Sequence, residues 1–190
     1  KHFVGNDTEF QRMTISSEID ERTLREVYLQ PFEAAVGAGV RSIMTGYNRL
    51  NGTFCADHEW LLRTVLRGEW GFDGVVVSDW FGLHSTVEAM RAGLDIEMPG
   101  PTLHRGEKLI AAVASGAVDE SLVDEAIARI AALAEWTGAG SSDGTEITDV
   151  DQIHEVESSV SLFCVISLFV FSVLPKFLSL LKVAFITKDS

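Results

Sequence analysis

Asp79 and Trp80 close the run Gly74-Val75-Val76-Val77-Ser78, and a carboxylate beside a large aromatic plane suits a polyol ring. The acid can attack the ring or hold its hydroxyls, while the indole stacks on C–H groups. Three valines between a glycine and an acidic residue read as a strand buried on both faces, as in parallel sheets covered by helices. In α/β folds the C-terminal end of such a strand is where chemistry is placed. The competing reading is an aspartate that caps a following helix beside a core tryptophan. Other chemistry-bearing residues fall at other expected strand ends: Lys1 and His2, then Met44 with Tyr47, then Asp95 and Glu97. Taken singly, Met44 reads as core filler and Lys1 as a solvated lysine. Asp95, Glu97 and Asp73 are expected to make salt bridges or loop caps.

The elements that must position these residues can be read from periodicity. From Asp20 to Ala38, Leu24, Val27, Tyr28, Phe32, Ala35 and Val36 recur at helical spacing, and Pro31 should kink or split that helix. Arg41 to Tyr47 reads as a short strand. Asp57 is expected to cap a helix through Trp60, Leu61, Leu62, Val65 and Leu66, stopped by Gly68. After the strand Val75–Ser78, Ser85-Thr86-Val87-Glu88 has capping-box spacing and opens a helix ending near Gly93. Leu94 to Met98 is read as a further strand, followed by helices over Lys108–Ser115 and Asp119–Glu135. Strand and helix alternating at this spacing make a βα repeat with a parallel sheet. The fold class is α/β. Three or four such units amount to about half of an eight-stranded barrel, which needs about 250 residues.

Composition narrows the partners. A formal net charge of -13 over 190 residues argues against nucleic acid or an anionic membrane surface as electrostatic partners and accommodates a neutral, sugar-like substrate. Cys55 and Cys164 are far apart and unpatterned, so neither a disulfide framework nor a zinc site is indicated; no metal and no cofactor are called for. The chain starts at Lys1-His2-Phe3 without a secretory or transit leader, and those residues read as the end of a strand whose beginning lies before them.

Lys1-His2-Phe3-Val4-Gly5-Asn6-Asp7-Thr8-Glu9 with Arg12 resembles the KHF-x-x-N-x-x-E-x-x-R signature of family 3 glycoside hydrolases. Arg22 to Leu29, Met44-Thr45-Gly46-Tyr47-Asn48 and Glu69-Trp70-Gly71-Phe72-Asp73-Gly74 through Trp80 continue the match. Ala92 to Pro101 is similar to the β-glucosidase branch in particular. The resemblance runs from Lys1 to about Thr137. It implies a partial N-terminal (β/α)8 TIM-barrel domain over residues 1–140, a retaining mechanism and a β-glucoside or oligosaccharide substrate. It also implies roles: Asp79 as the nucleophile, Lys1 and His2 as donors to sugar hydroxyls, Met44 and Tyr47 as pocket lining, and Trp80 at the edge of the sugar or the neighbouring subsite. The N-acetylglucosaminidase branch is disfavoured, because Val4, Gly5, Asn6 and Asp7 stand where its KHF-P-G-H-G-D sequence carries a histidine. A retaining enzyme needs a second carboxyl group, which the β-glucosidase branch takes from a second domain, and nothing after Gly140 resembles that domain.

Residues 141–159 read as an acidic linker and 160–190 as a hydrophobic tail without a family match. Val160 to Leu174 and Phe177 to Ile186 are apolar runs broken by Pro175-Lys176 and carrying Lys182. Membrane association, if any, would be through 160–186; the alternative is a tail foreign to the family, following a truncated gene. Two functions are therefore carried forward: a β-glucosidase-like hydrolase, and a truncated, non-catalytic remnant that binds sugar or membrane.

Overall fold

The structure, a computed structural model, describes residues 1–139; the expected linker and tail lie outside the described residues. The architecture is mixed α/β with small sheets. The strands are β1 (Ser16–Ser17), β2 (Ser42–Met44), β3 (Arg49–Leu50), β4 (Thr53–Phe54) and β5 (Val75–Val77), with helices between β1 and β2 and between β4 and β5. β2 pairs with β5 in parallel, with Ile43 opposite Val76. Single parallel bridges, Phe3 to Thr45 and Val77 to Ile96, extend the pair on either side. Phe3, β2, β5 and Ile96 thus line up side by side in chain order.

The valines of β5 behave as their type dictates. Val75 and Val76 are both buried. Val76 joins Phe3, Phe32, Ile43, Leu62 and Leu66 in one core cluster. The helix over Trp60–Glu69 supplies its apolar face through Leu61, Leu62, Val65 and Leu66. Its last turn closes with the Trp70 N–H on Val65 O at 3.1 Å, and the chain reverses at Gly71, whose φ of 68° suits glycine. Gly68 therefore lies inside the helix and does not stop it.

Pro31 splits the first helical stretch. A short helix Glu21–Thr23, capped by Asp20, passes into a wider-turned segment Leu24–Tyr28, and a new helix begins at Gln30 with Pro31 in its first turn, where the missing N–H costs nothing. The last helix runs over Glu120–Thr137, and Asp119, expected as its first residue, caps it by accepting the Ser121 N–H at 2.9 Å.

Three expectations are corrected. Leu94–Met98 is not a strand but a single bridge at Ile96. The Asp95 carboxylate takes the Val76 N–H at 2.7 Å, a donor that a ladder would use. Asp57 does not cap the Trp60 helix; it sits in the one-turn helix Cys55–Asp57 and accepts the Ser85 hydroxyl at 2.8 Å, while the Leu61 N–H finds His58 Nδ1 at 3.4 Å. Ser85 is not the N-cap of the helix Val87–Ala92, which is Thr86; its hydroxyl accepts the Ala89 N–H at 3.0 Å from one residue further out. Among the described residues no helix is long and apolar enough to cross a membrane.

Candidate active site

The site forms where β5 runs out. Ser78 is fully buried and anchors the exit: its N–H donates to Ile96 O at 2.9 Å and its hydroxyl accepts the Met98 N–H at 2.9 Å. The chain then turns sharply, with the Gly82 N–H on Asp79 O at 2.9 Å and the Phe81 N–H on Met98 O at 2.9 Å. Phe81 takes a left-handed φ of 58°, strain of about 1 kcal/mol or more for a residue with a Cβ. Gly82 must stay small, because a Cβ there would lie 3.2 Å from Asp79 O and 3.3 Å from the Tyr47 ring.

This turn presents the Asp79 carboxylate to two side chains from elsewhere. Oδ1 accepts the Trp80 N–H at 2.7 Å. Oδ2 is enclosed, with His2 Nε2 at 3.2 Å, and the Tyr47 hydroxyl also acts on the group. Asp79 is only 8% exposed, and burial pushes its pKa up. His2, the Trp80 N–H and Tyr47 together outweigh burial and hold it below the ordinary carboxylate value. Burial and the Asp79 charge raise the Tyr47 phenol in turn, so it remains a donor. An ionised, buried carboxylate held by donors is a competent nucleophile.

The structure thus brings His2 and Tyr47 onto Asp79. Trp80 contributes its backbone N–H while its indole is 47% exposed. No helix follows Asp79 until Val87. The alternative of a helix-capping aspartate beside a core tryptophan is therefore excluded. Met44 ends β2, partly buried, and its carbonyl accepts the Phe3 N–H at 2.8 Å. Lys1 is exposed next to His2, and no described contact joins its side chain to Asp79.

The other acids are occupied, as expected of them. The Asp95 side chain is fully buried between Arg67 at 2.8 Å and Arg129 at 2.9 Å. Glu97 accepts the backbone N–H groups of Leu103, His104 and Arg105. Asp73 faces Arg41 at 3.5 Å on the surface.

Three neighbours of functional weight were not singled out from sequence. The Arg12 guanidinium lies 5.0 Å from the centre of the Tyr47 ring, a cation–π contact; its place in the KHF motif was the available signal. Arg67 and Arg129 were hidden, because a helical arginine reads as a solvated face until its buried partner is known. Clefts elsewhere on the described surface, such as the one lined by Glu21, Arg22, Arg25 and Glu26, include no residue that contacts Asp79.

Comparison with known proteins decides the family. Residues 1–133 match the family model described as the glycosyl hydrolase family 3 N terminal domain. The chain belongs to glycosyl hydrolase family 3. The family 3 chain is 59% identical over 140 residues to a β-glucosidase of Rhizobium radiobacter, covering 73% of this chain and 17% of that relative. Among solved structures, the β-glucosidase D2-BGL of Chaetomella raphigera superposes with a TM-score of 0.69 at 44% identity, over 76% of this chain and 20% of that one. The β-glucosidase of Kluyveromyces marxianus in complex with glucose gives 0.66 at 44% identity, over 68% and 16%. The family 3 chain thus spans less than a fifth of the length of the curated relatives it matches first.

Proposed function

We propose that residues 1–140 are part of the (β/α)8 barrel domain of a retaining β-glucosidase in which Asp79 is the nucleophile. The observation that carries this reading is the convergence of His2, Tyr47 and the Trp80 N–H on a buried, ionised Asp79 at a strand end. The side-by-side order of Phe3, β2, β5 and Ile96 supports the barrel, and the β-glucosidase names of the relatives support the substrate class.

In this mechanism an Asp79 carboxylate oxygen attacks the anomeric carbon. The glycosidic C–O bond breaks with its electron pair going to the leaving oxygen, which takes a proton from a second carboxylic acid about 5–5.5 Å away. Water then attacks the glycosyl ester, giving up its proton to that same group, and the two inversions return the β configuration. His2 and Lys1 would donate to sugar hydroxyls, charge-assisted in the case of lysine. Met44 and Tyr47 would line the pocket, and Trp80 would border the sugar or the next subsite.

The test is covalent trapping in the intact enzyme that carries this segment. A 2-deoxy-2-fluoroglucoside with a dinitrophenolate leaving group slows deglycosylation, and mass spectrometry of proteolytic peptides should find the fluoroglucosyl ester on Asp79. A label on any other acid would overturn the assignment.

A second reading concerns residues 1–190 by themselves. The acids flanking Ile96 are bound elsewhere, Asp95 to two arginines and Glu97 to three backbone N–H groups, so neither is free to protonate a leaving group. The purified chain should leave cellobiose and alkyl glucosides intact. An activated aryl glucoside, whose leaving group needs little protonation, should glycosylate Asp79 slowly. Efficient cellobiose cleavage by the chain would show that an acid within it has taken the role.

A further inference from the structure

Asn48 is wholly buried, and its amide gathers the segments that carry His2 and Tyr47. Nδ2 lies 3.2 Å from the carbonyl oxygens of Val4 and Gly5, 3.2 Å from Ser17 Oγ and 3.0 Å from Arg49 O. Two N–H groups facing four acceptors are shared among them, so the bonds form or fail as a set. Oδ1 lies 3.7 Å from Cys55 Sγ, and that thiol also reaches Val4 O at 3.5 Å. Ser17 completes the cluster by donating to Gly5 O at 2.7 Å.

The two segments meet edge to edge. The Phe3 N–H donates to Met44 O at 2.8 Å, and the Gly46 N–H donates to Phe3 O at 2.7 Å. Gly46 is bare because a Cβ there would lie 2.5 Å from Asn48 Oδ1. The amide is thus seated against the backbone that leads into Tyr47 and clamps the backbone that follows His2. A buried amide with this many partners is a costly choice for a site that only needed filling.

We propose that Asn48 is a positioning residue: it fixes the segment after His2 against Gly46-Tyr47, so that imidazole and phenol meet on Asp79. The inference rests on the glycosidase reading above and names a residue that does not itself contact Asp79. Removing the clamp loosens the donors on the nucleophile. The groups that bear on Asp79 are His2, Tyr47 and the Trp80 N–H; Arg12 and Glu9 act on it only through the phenol.

The sign follows from those donors. They favour the carboxylate, so weakening them lets its pKa rise, and activity is lost at a higher pH as the solution is acidified. The acid limb of kcat/KM reports the free enzyme, and its midpoint does not depend on how much of the preparation is folded. In the intact enzyme, Asn48→Ala and Gly46→Ala should each lower kcat/KM about tenfold and move the acid limb upward by roughly one pH unit, the equivalent of one hydrogen bond to a charged group. Ser17→Ala, at a half-exposed position, should give a smaller shift of the same sign and decides the matter if the other two yield no active enzyme. A fall in melting temperature with the limb unmoved would reduce Asn48 to a stabilising residue and overturn the proposal. Asp79→Ala measured alongside separates the two failures: turnover surviving there removes Asp79 as the nucleophile and with it the target of the clamp, whereas turnover lost there with an unmoved limb in the clamp variants removes only the clamp.

Discussion

In the intact enzyme, Asp79→Ala is expected to lower turnover by on the order of 10⁴- to 10⁶-fold, the range seen when a central group of a covalent mechanism is removed. The expectation comes from what surrounds the carboxylate. His2 Nε2 at 3.2 Å and the Trp80 N–H at 2.7 Å hold it ionised, and an alanine methyl offers no electron pair to the anomeric carbon. The substitution also opens room on the face from which Asp79 would attack. With an aryl glucoside whose leaving group departs readily, azide entering that room should restore part of the activity and give the α-glucosyl azide, the product of a single inversion. Near-normal turnover of the variant without azide would remove Asp79 from the mechanism. Rescue that gives the β-azide would indicate a different attacking face.

The second large effect is on stability, at Asp95. Its carboxylate is fully buried, holds Arg67 and Arg129 at 2.8 and 2.9 Å, and accepts the Val76 N–H at 2.7 Å. Asp95→Ala would leave two guanidinium groups facing each other without a counter-charge and a strand N–H without an acceptor. Breaking a buried pair from one side costs about 3–5 kcal/mol, so the unfolding free energy of the domain should fall by about that amount in a denaturant titration. The control is Glu69→Ala, which removes the partner of Arg25 at 2.6 Å. That pair is exposed to solvent, and its loss should cost no more than about 1 kcal/mol. Comparable losses at the two sites would mean that the Asp95 charge is screened by water after all.

What the sequence made legible was mostly what depends on local chemistry. The valine run and the split at Pro31 follow from residue type and spacing, and the structure has them. The hairpin of β3 and β4 was equally legible and went unread: Asn51-Gly52 between Arg49-Leu50 and Thr53-Phe54 is the strongest short-range hairpin signal, and both residues take positive φ. Asp95 was read correctly as an ion-pair acid, but its partners lie on helices distant in sequence, and periodicity carries no information about which buried charge meets which. The same holds for Asn48, whose acceptors come from three separate segments. At the site, Asp79 could be named from its strand and His2 and Tyr47 as site residues from the family motif, but not that His2 lies on the carboxylate; the turn through Phe81 and Gly82 that aims it is a backbone event that residue types only hint at.

The side-by-side order of Phe3, β2, β5 and Ile96 has a kinetic side. His2, Tyr47 and Asp79 are remote from one another along the chain, and each is delivered by a different rung of that order. Such non-local pairings are slow to form, because loop-closure entropy is lost before the contacts reward it. Before those pairings form, the Asp79 carboxylate has neither the imidazole nor the phenol beside it. If Asp79 is the nucleophile proposed above, its donors would reach it only with those pairings, so that the site and the fold would be completed together.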